Sequence, residues 1–523
     1  HLIDTYLKGV NDGAKKRGRT AEHFLLGKEF SDLTKKDVVA IARLQSWQLA
    51  NDFFAELTRL KIARSTLSLD VKKSMISAMD DQGKSIIKSS ENHQEKWVEP
   101  GYLRSKSLRQ KNTEEAMLSP LFGDGASNAW AVKSNLMDNG FASLMNDPHL
   151  QHNWPSNFYL ATIESDDLFA TGASFVGLPG IVIGASKNLA WGVTASALNT
   201  QDAVLLKRDF DFGYVVDGKK YQLEKWPQEY CVDKTCITEN FYTSIFGPVV
   251  DQKIDSWIDE DEYAVQWTGF NVNEHKVLSG AFLDLARAKN IKEGVKAVQS
   301  MTLPGVNIVL ADTFGDIAYA YAGLVPKRDP RQNAYLPLDG SKSASKWPGF
   351  LPKNDKPSII NPEQGFIITA NQNIYGHNKK GQQYGKQGAP PYRAVRIDER
   401  INIMLKNSST LNFDELAKIQ LDETSAEAKE LSPILGQICV EHFANGSNSQ
   451  KTFAQVVKDF DGAFTVNSIA ALPYEFLVDE AMKAILTPAL GKDGSGPGQY
   501  LRQAHYHIKQ TLAKTDVSKD RKS

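Results

Sequence analysis

The chain has 523 residues, long enough for one large core or two lobes, and its 41% hydrophobic and 24% charged content is that of an ordinary globular protein. A formal net charge of -1 gives no electrostatic reason to propose nucleic acid as a partner. No apolar run approaches the roughly 18–20 residues that a membrane-spanning helix needs.

The chain opens at His1 in what reads as mid-helix, without the basic and apolar regions of a signal segment. Apolar residues recur at three- and four-residue intervals from Asp37 to Leu57, predicting one helix that Thr34 is placed to cap. Gly83-Lys84-Ser85 has the ending of a phosphate loop, but the motif's first glycine falls on Ala78, which discards it. From about Lys88 to Ala126 the composition is polar and aperiodic, as in a surface loop or a spacer.

From Ser127 the texture becomes β. Strands are expected at 129–133, 158–164, 180–183, 190–195, 203–207, 263–267, 307–311, 317–321 and 366–369, each bounded by Gly, Pro, Asn or Asp. One long amphipathic helix is expected over 277–300. After Tyr392 helices are expected at 394–405, 413–422, 427–444, 453–460 and 477–486, with a flexible turn at 491–498. Strands grouped together and helices elsewhere predict an α+β fold. Cys231 and Cys236 enclose four residues and are either a hairpin disulfide or two free thiols; Cys439 lies on an apolar helical stretch as a packed thiol.

The organising stretch is Gly123-Asp124-Gly125-Ala126-Ser127-Asn128-Ala129-Trp130, where small residues lead into one serine and then an apolar strand. Such a serine is ordinary by itself. Further motifs follow at set distances: Asn146-Asp147-Pro148-His149, Gly177-Leu178-Pro179-Gly180, Leu189-Ala190-Trp191-Gly192-Val193-Thr194-Ala195 and Val306-Asn307-Ile308-Val309-Leu310-Ala311-Asp312. Over about 2–435, these together resemble the penicillin acylase (penicillin amidase) family of N-terminal-nucleophile (Ntn) hydrolases.

The resemblance implies a four-layer αββα sandwich with additional helical regions. It divides the chain into a helical part of a first (alpha) chain at 1–90, an excised spacer at 91–126, the catalytic core of a second (beta) chain at 127–390, a helical region at 391–490 and a tail at 491–523. Cleavage at Ala126–Ser127 would make the two chains partners from one precursor. Many family members have glycine before the nucleophile, so Ala126 is a mild departure that bears on efficiency. The resemblance also implies a periplasmic or secreted location, with a strand-rich segment before Leu2 and more chain after Ser523.

Amide hydrolysis needs a nucleophile, a base and donors where negative charge develops. A serine at a chain's new N-terminus supplies the first two, because a free α-amine has an ordinary pKa of about 7.7–8. By resemblance, Ser127 Oγ attacks with its own amine as base, and the N–H of Ala195 and the amide of Asn307 form the oxyanion hole. Read alone, Asn307 is equally a structural asparagine at a strand start. His149 matches a polar position beside the nucleophile; a turn-capping histidine is the alternative. Asn128 resembles a residue that fixes the new N-terminus. Arg328 resembles an arginine around the α-amine, and as a lone residue would be a solvated charge.

The resemblance further implies a structural calcium site at Glu56, Asn199, Gln201 (through its backbone carbonyl) and Asp202, with Asn199 in place of a carboxylate. No organic cofactor is implied. His505-x-His507 lacks a third ligand, and the acidic run 259–262 reads as a solvated turn. Gly-x-Ser-x-Gly and His-Glu-x-x-His motifs are absent from the sequence, against α/β-hydrolase and zincin readings. Three stretches support the family without carrying chemistry: 368–373 near the pocket, and 392–397 and 419–422 as buried polar anchors. The expected activity is hydrolysis of small-molecule acyl amides, with β-lactam side-chain amides ahead of N-acyl-homoserine lactones. Lactone acylases tend towards Asn-Pro-His-Phe and His-Thr, where this chain has Pro148-His149-Leu150 and Val193-Thr194. A non-catalytic binding module of the same fold is the alternative from another class.

Overall fold

The computed structural model describes residues 2–88, except 51, 70–71, 73–75 and 77–83, and residues 125–490, except 151–153, 155, 210–211, 233–234, 251–261, 272–279, 330–331, 333–334 and 376–387. The spacer up to 124, the turn and tail from 491 with His505 and His507, and residues 259–261 therefore lie outside the described residues.

Four helices come first: α1 (Leu2–Arg17), α2 (Ala21–Leu26), α3 (Lys35–Gln48) and α4 (Asp52–Arg64). Thr34 starts α3 as expected, its N–H donating to Asp37 Oδ2 at 2.7 Å. The single helix expected from 37 to 57 is two, because Asp52 opens a new first turn. No helix among the described residues is long and apolar enough to cross a membrane.

The strands follow in chain order. They are β1 (Ala126–Val132), β2 (Ser143–His149), β3 (Phe158–Glu164), β4 (Phe169–Phe175), β5 (Ile183–Ser186), β6 (Leu189–Ala195) and β7 (Gln201–Leu205). Next come β8 (Gly213–Val216), β9 (Lys219–Gln222), the hairpin β10 (Glu224–Val232) and β11 (Thr235–Ser244), then β12 (Gly247–Val250) and β13 (Tyr263–Trp267). After helices α5 (Ala281–Arg287) and α6 (Ile291–Ser300) come β14 (Val306–Asp312), β15 (Ile317–Ala322), β16 (Leu338–Asp339), β17 (Ser358–Ile360) and β18 (Phe366–Thr369). The helix expected over 277–300 is broken because Asn290 caps α6, its Oδ1 accepting from Lys292 and Glu293 N–H, both at 3.1 Å.

Two of the sheets face each other. One is seven-stranded, in the order β17-β15-β14-β6-β5-β4-β3, and one three-stranded, β18-β1-β2. Strand periodicity assigns the faces. Ile308 and Leu310 of β14 pack outward with Trp191 against Leu285, Ile291, Val295 and Val298 of α5 and α6. Val309 and Ala311 face inward, with Tyr319 and Tyr321, onto Ala129, Ala131 and Ile367 of the smaller sheet. The smaller sheet's other side, including Trp130, Val132 and Ile368, is covered by α7 (Tyr392–Asn407) and α8 (Phe413–Gln420). The order helix, sheet, sheet, helix is the αββα sandwich expected.

A six-stranded sheet, β10-β11-β12-β13-β7-β16, lies alongside. Tyr263, Val265 and Trp267 of its β13 share a core with α4 and with α9 (Ala426–His442), α10 (Asn448–Lys458) and α11 (Ala471–Leu490). Cys231 and Cys236 are directly opposite in the β10–β11 hairpin and disulfide-bonded, and Cys439 is buried in α9.

The polar anchors expected at 392–397 and 419–422 meet: Arg396 donates Nε and Nη2 to the two oxygens of Asp422 at 3.1 and 2.7 Å. Burial raises the Asp422 pKa, but the Arg396 and Thr424 hydrogen bonds win, leaving it below its ordinary 3.8. A depressed carboxyl contributes stability at pH above its unfolded value and loses it as pH falls through the folded one. Asp422→Asn is expected to lower the thermal midpoint at pH 7, and the difference from wild type is expected to shrink as pH falls from the carboxylate range towards about 2. Scans at the two pH values check this.

Candidate active site

Ser127 is the second residue of β1, buried between the two facing sheets. Its register partner on β2 is Pro148, which has no N–H to offer. The Ser127 carbonyl instead accepts from Arg393 Nη1 at 2.8 Å. The Ser127 N–H donates to Asn371 Oδ1 at 2.9 Å. Two donors converge on Ser127 Oγ: the Ala195 N–H at 3.4 Å and Asn371 Nδ2 at 3.1 Å.

Asn371 follows β18 with φ of 64°, the left-handed conformation that asparagine tolerates better than most residues. That turn brings its amide back over β1. Arg393, in the first turn of α7, joins the pieces, donating to Asn128 Oδ1 at 2.6 Å and to Asn371 Oδ1 at 2.7 Å. The guanidinium and the Ser127 N–H thus share one acceptor.

Among the residues expected at the site, Ser127 and Ala195 meet directly. Asn128 acts through Arg393 and does not reach the Ser127 nitrogen.

Asn307 requires a correction. Fully buried on β14, its Nδ2 donates to Thr194 Oγ1 and to the Ala195 carbonyl, both at 3.1 Å, while Tyr319 OH donates to its Oδ1 at 2.9 Å. Its amide is spent on β6, and Asn371 supplies the amide that meets the Ser127 hydroxyl.

His149 also moves. It pairs with Ala126 in the β1–β2 register, so it projects from the ribbon face opposite to Ser127. Its Nε2 lies 2.6 Å from Asp147 Oδ2 and 3.4 Å from Asn128 Nδ2, with no hydrogen bond to Ser127.

Arg328 is neither solvated nor at Ser127. It is buried, donating Nε to Asp202 Oδ2 at 2.9 Å and Nη2 to the Asn199 carbonyl at 3.0 Å. Asn371 and Arg393 were the residues missed. Both lie in stretches the sequence singles out, at 368–373 and 392–397, but nothing local says that the two come together over β1.

The four expected calcium residues do converge, all buried. Asn199 Nδ2 donates to Glu56 Oε1 at 3.0 Å and to Asp202 Oδ1 at 3.2 Å. Glu56 Oε2 accepts from Ala203 N–H at 2.8 Å, Asp52 Oδ2 from Thr200 N–H at 2.8 Å, and Gln201 Oε1 from Phe53 N–H at 3.2 Å. Burial, with the nearby Asp202 charge, pushes the Glu56 pKa well above its ordinary value, and burial pushes Asp52 up to about 7. Three carboxyls, of Asp52, Glu56 and Asp202, are thus buried together beside the Arg328 guanidinium, and burial favours the neutral form of Asp52 and Glu56. The oxygen-rich donors of this cluster are the kind calcium takes, so the residues fit a hard cation, although Arg328 already holds one side of Asp202.

The αββα layers and a serine held by its own backbone nitrogen, hydroxyl and carbonyl define an Ntn-hydrolase-like class. The penicillin amidase family model matches residues 1–523, and the chain belongs to that family. It is 27% identical over 398 residues to the acyl-homoserine lactone acylase QuiP of Pseudomonas aeruginosa, covering 72% of this chain and 46% of that protein. It is 25% identical over 369 residues to the penicillin acylase 2 proenzyme of Pseudomonas sp. strain SE83, covering 69% and 46%. The chain spans about half the length of the curated relatives it matches. The fold is shared with a thermostable penicillin G acylase from Alcaligenes faecalis, at TM-score 0.57 and 16% identity over 75% of this chain and 79% of that one.

Arg393 is tested without reference to any substrate. Lysine keeps the charge but cannot span Ser127, Asn128 and Asn371 with one planar fork. Arg393→Lys is expected to slow labelling of Ser127 by phenylmethylsulfonyl fluoride by about tenfold or more, corresponding to loss of one charged hydrogen bond. Mass spectrometry of labelled protein over time checks this.

Proposed function

We propose that this chain belongs to a self-processing N-terminal serine amidohydrolase that cleaves linear amides through an acyl-enzyme. The observation that carries the reading is the convergence of Ala195 N–H and the Asn371 amide on Ser127 Oγ, with the Ser127 nitrogen held by the same Asn371. In the first reaction Ser127 Oγ attacks the Ala126 carbonyl carbon and its proton passes to the departing Ser127 nitrogen, so the Ala126–Ser127 C–N bond breaks, an ester replaces it and the amine is freed. Water hydrolyses that ester, leaving a carboxylate on Ala126 and a free amine on Ser127. The first and second chains then remain associated as partners.

In the second reaction the α-amine takes the Oγ proton as Oγ attacks the substrate's acyl carbon. Ala195 N–H and Asn371 Nδ2 receive the developing oxyanion. The amine product leaves with the proton, and water releases the acid. Arg393 shares Asn371 Oδ1 with the nucleophile's nitrogen, so its positive charge disfavours protonation of the amine and keeps it a base.

Acyl-homoserine lactone acylases among the relatives favour N-acyl-homoserine lactones as a second substrate class beside β-lactam side-chain amides. The Cys231–Cys236 disulfide supports a periplasmic or secreted site of action. Calcium bound by Glu56, Asn199, Asp202 and the Gln201 carbonyl would neutralise buried charge and tie α4 to the second chain.

The full-length precursor is expected to yield a chain beginning Ser-Asn-Ala-Trp, and Ser127→Ala to remain uncut, by intact mass and N-terminal sequencing. Wild-type protein that stays uncut would favour the non-catalytic binding module. On whichever of penicillin G or N-acyl-homoserine lactones is hydrolysed, Asn371→Ala is expected to lower kcat about 10²–10³-fold. Asn307→Ala, removing a strand support, should lose less. Chelation with EDTA is expected to lower the thermal midpoint and calcium to restore it; an unchanged midpoint would assign the cluster to Arg328 alone.

A further inference from the structure

The reactive geometry spans two different sheets. Ser127 Oγ belongs to β1 of the three-stranded sheet, and the Ala195 N–H that reaches it belongs to β6 of the seven-stranded one. Ladder hydrogen bonds run within each sheet. Apolar packing between the sheets is non-directional and does not fix a donor against an oxygen to a fraction of an ångström.

We propose that Asn146 is a positioning residue that locks the oxyanion strand against the nucleophile strand. This rests on the reading of Ser127 as the nucleophile. Asn146 lies on β2, and its side-chain amide does the work of a missing strand. Its Oδ1 accepts from Val193 N–H at 2.9 Å and its Nδ2 donates to Val193 O at 3.1 Å, the pair of bonds a ladder rung would make. The same Nδ2 donates to the carbonyl of Asn128, next to the nucleophile, at 2.7 Å.

Among the described residues no strand pairs with β6 along the stretch of its edge that Asn146 occupies. β5 pairs with β6 only at Ala190 and Trp191, whereas β14 stays paired on the far side through Ala195. Residues two apart on a strand send their N–H groups to the same side. Ala195 N–H is therefore the next donor along the edge that Asn146 holds at Val193, and it is the donor that meets Ser127 Oγ. A side chain on Gly192 would collide with this device: a Cβ there would lie 2.9 Å from Asn146 Cβ and 3.1 Å from its Cγ. Glycine at 192 is thus the complement of asparagine at 146.

The test uses the full-length precursor with Asn146→Ala and, separately, Gly192→Ala, which removes no hydrogen-bonding group and instead wedges the amide aside. Active sites are counted by phenylmethylsulfonyl fluoride labelling, and turnover is measured on an N-acyl 4-nitroanilide that wild type hydrolyses. Both variants are expected to lose about 10²-fold in kcat per titrated site, with KM within about threefold, the signature of a misplaced reacting group. Where a folded variant does not mature, its rate of Ala126–Ser127 cleavage is read instead, with the same loss expected. A merely structural role would lower the thermal midpoint and the number of sites while leaving kcat per site unchanged. Rates per site within threefold of wild type in either variant overturn the proposal. Wild type that neither cleaves itself nor hydrolyses any amide marks failure of the functional reading instead.

Discussion

One side-chain amide has every hydrogen-bonding capacity in use at the centre of this molecule. Asn371 Oδ1 accepts from the Ser127 N–H and from Arg393, and Nδ2 donates to Ser127 Oγ and to the Ala195 carbonyl. Those four bonds exhaust what an asparagine can make. They also join β1, β6 and α7 to the turn after β18, so three of the four layers meet at a single planar group. A buried network satisfied this fully is stiff, and removing one member leaves several others unpaired.

Much of the fold was legible because its signals are local. Short apolar runs at 307–311 and 317–321 mark two strands buried on both faces, and β14 and β15 are both interior strands of the larger sheet. Capping chemistry located the start of α3. The same chemistry hides in 277–300, where Asn290 looks like one more polar residue on a helix and is in fact the start of a new one. The strands of the β10–β11 hairpin were not expected, although the two cysteines allowed a hairpin disulfide, because β11 is mostly polar and exposed and shows no buried face.

The site was legible in one dimension and misassigned in three. Ser127 and Ala195 were expected together and do meet, Ala195 through its backbone N–H, whose place on the strand motif spacing preserves. Side-chain roles depend on which way a residue faces after folding. Asn307 and Asn371 both place amides at the end of β6, and the left-handed turn at Asn371 brings that one to the hydroxyl. His149 lies close to Ser127 in the ribbon but on its other face. Arg328 was placed at the amine and instead serves the carboxylates that join α4 to β7, while Arg393, taken for a structural anchor, occupies the place foreseen for it.

Chain ends are ordinarily the loosest part of a protein, fraying because nothing holds them on one side. Ser127 lies only one residue inside β1, yet it is gripped through its nitrogen, its carbonyl and its hydroxyl, and β1 runs on as the middle strand of its sheet. A terminus created there by cutting the preceding bond would inherit the stillness of a core residue. The protein would thereby gain a free α-amine without the motion that normally comes with one.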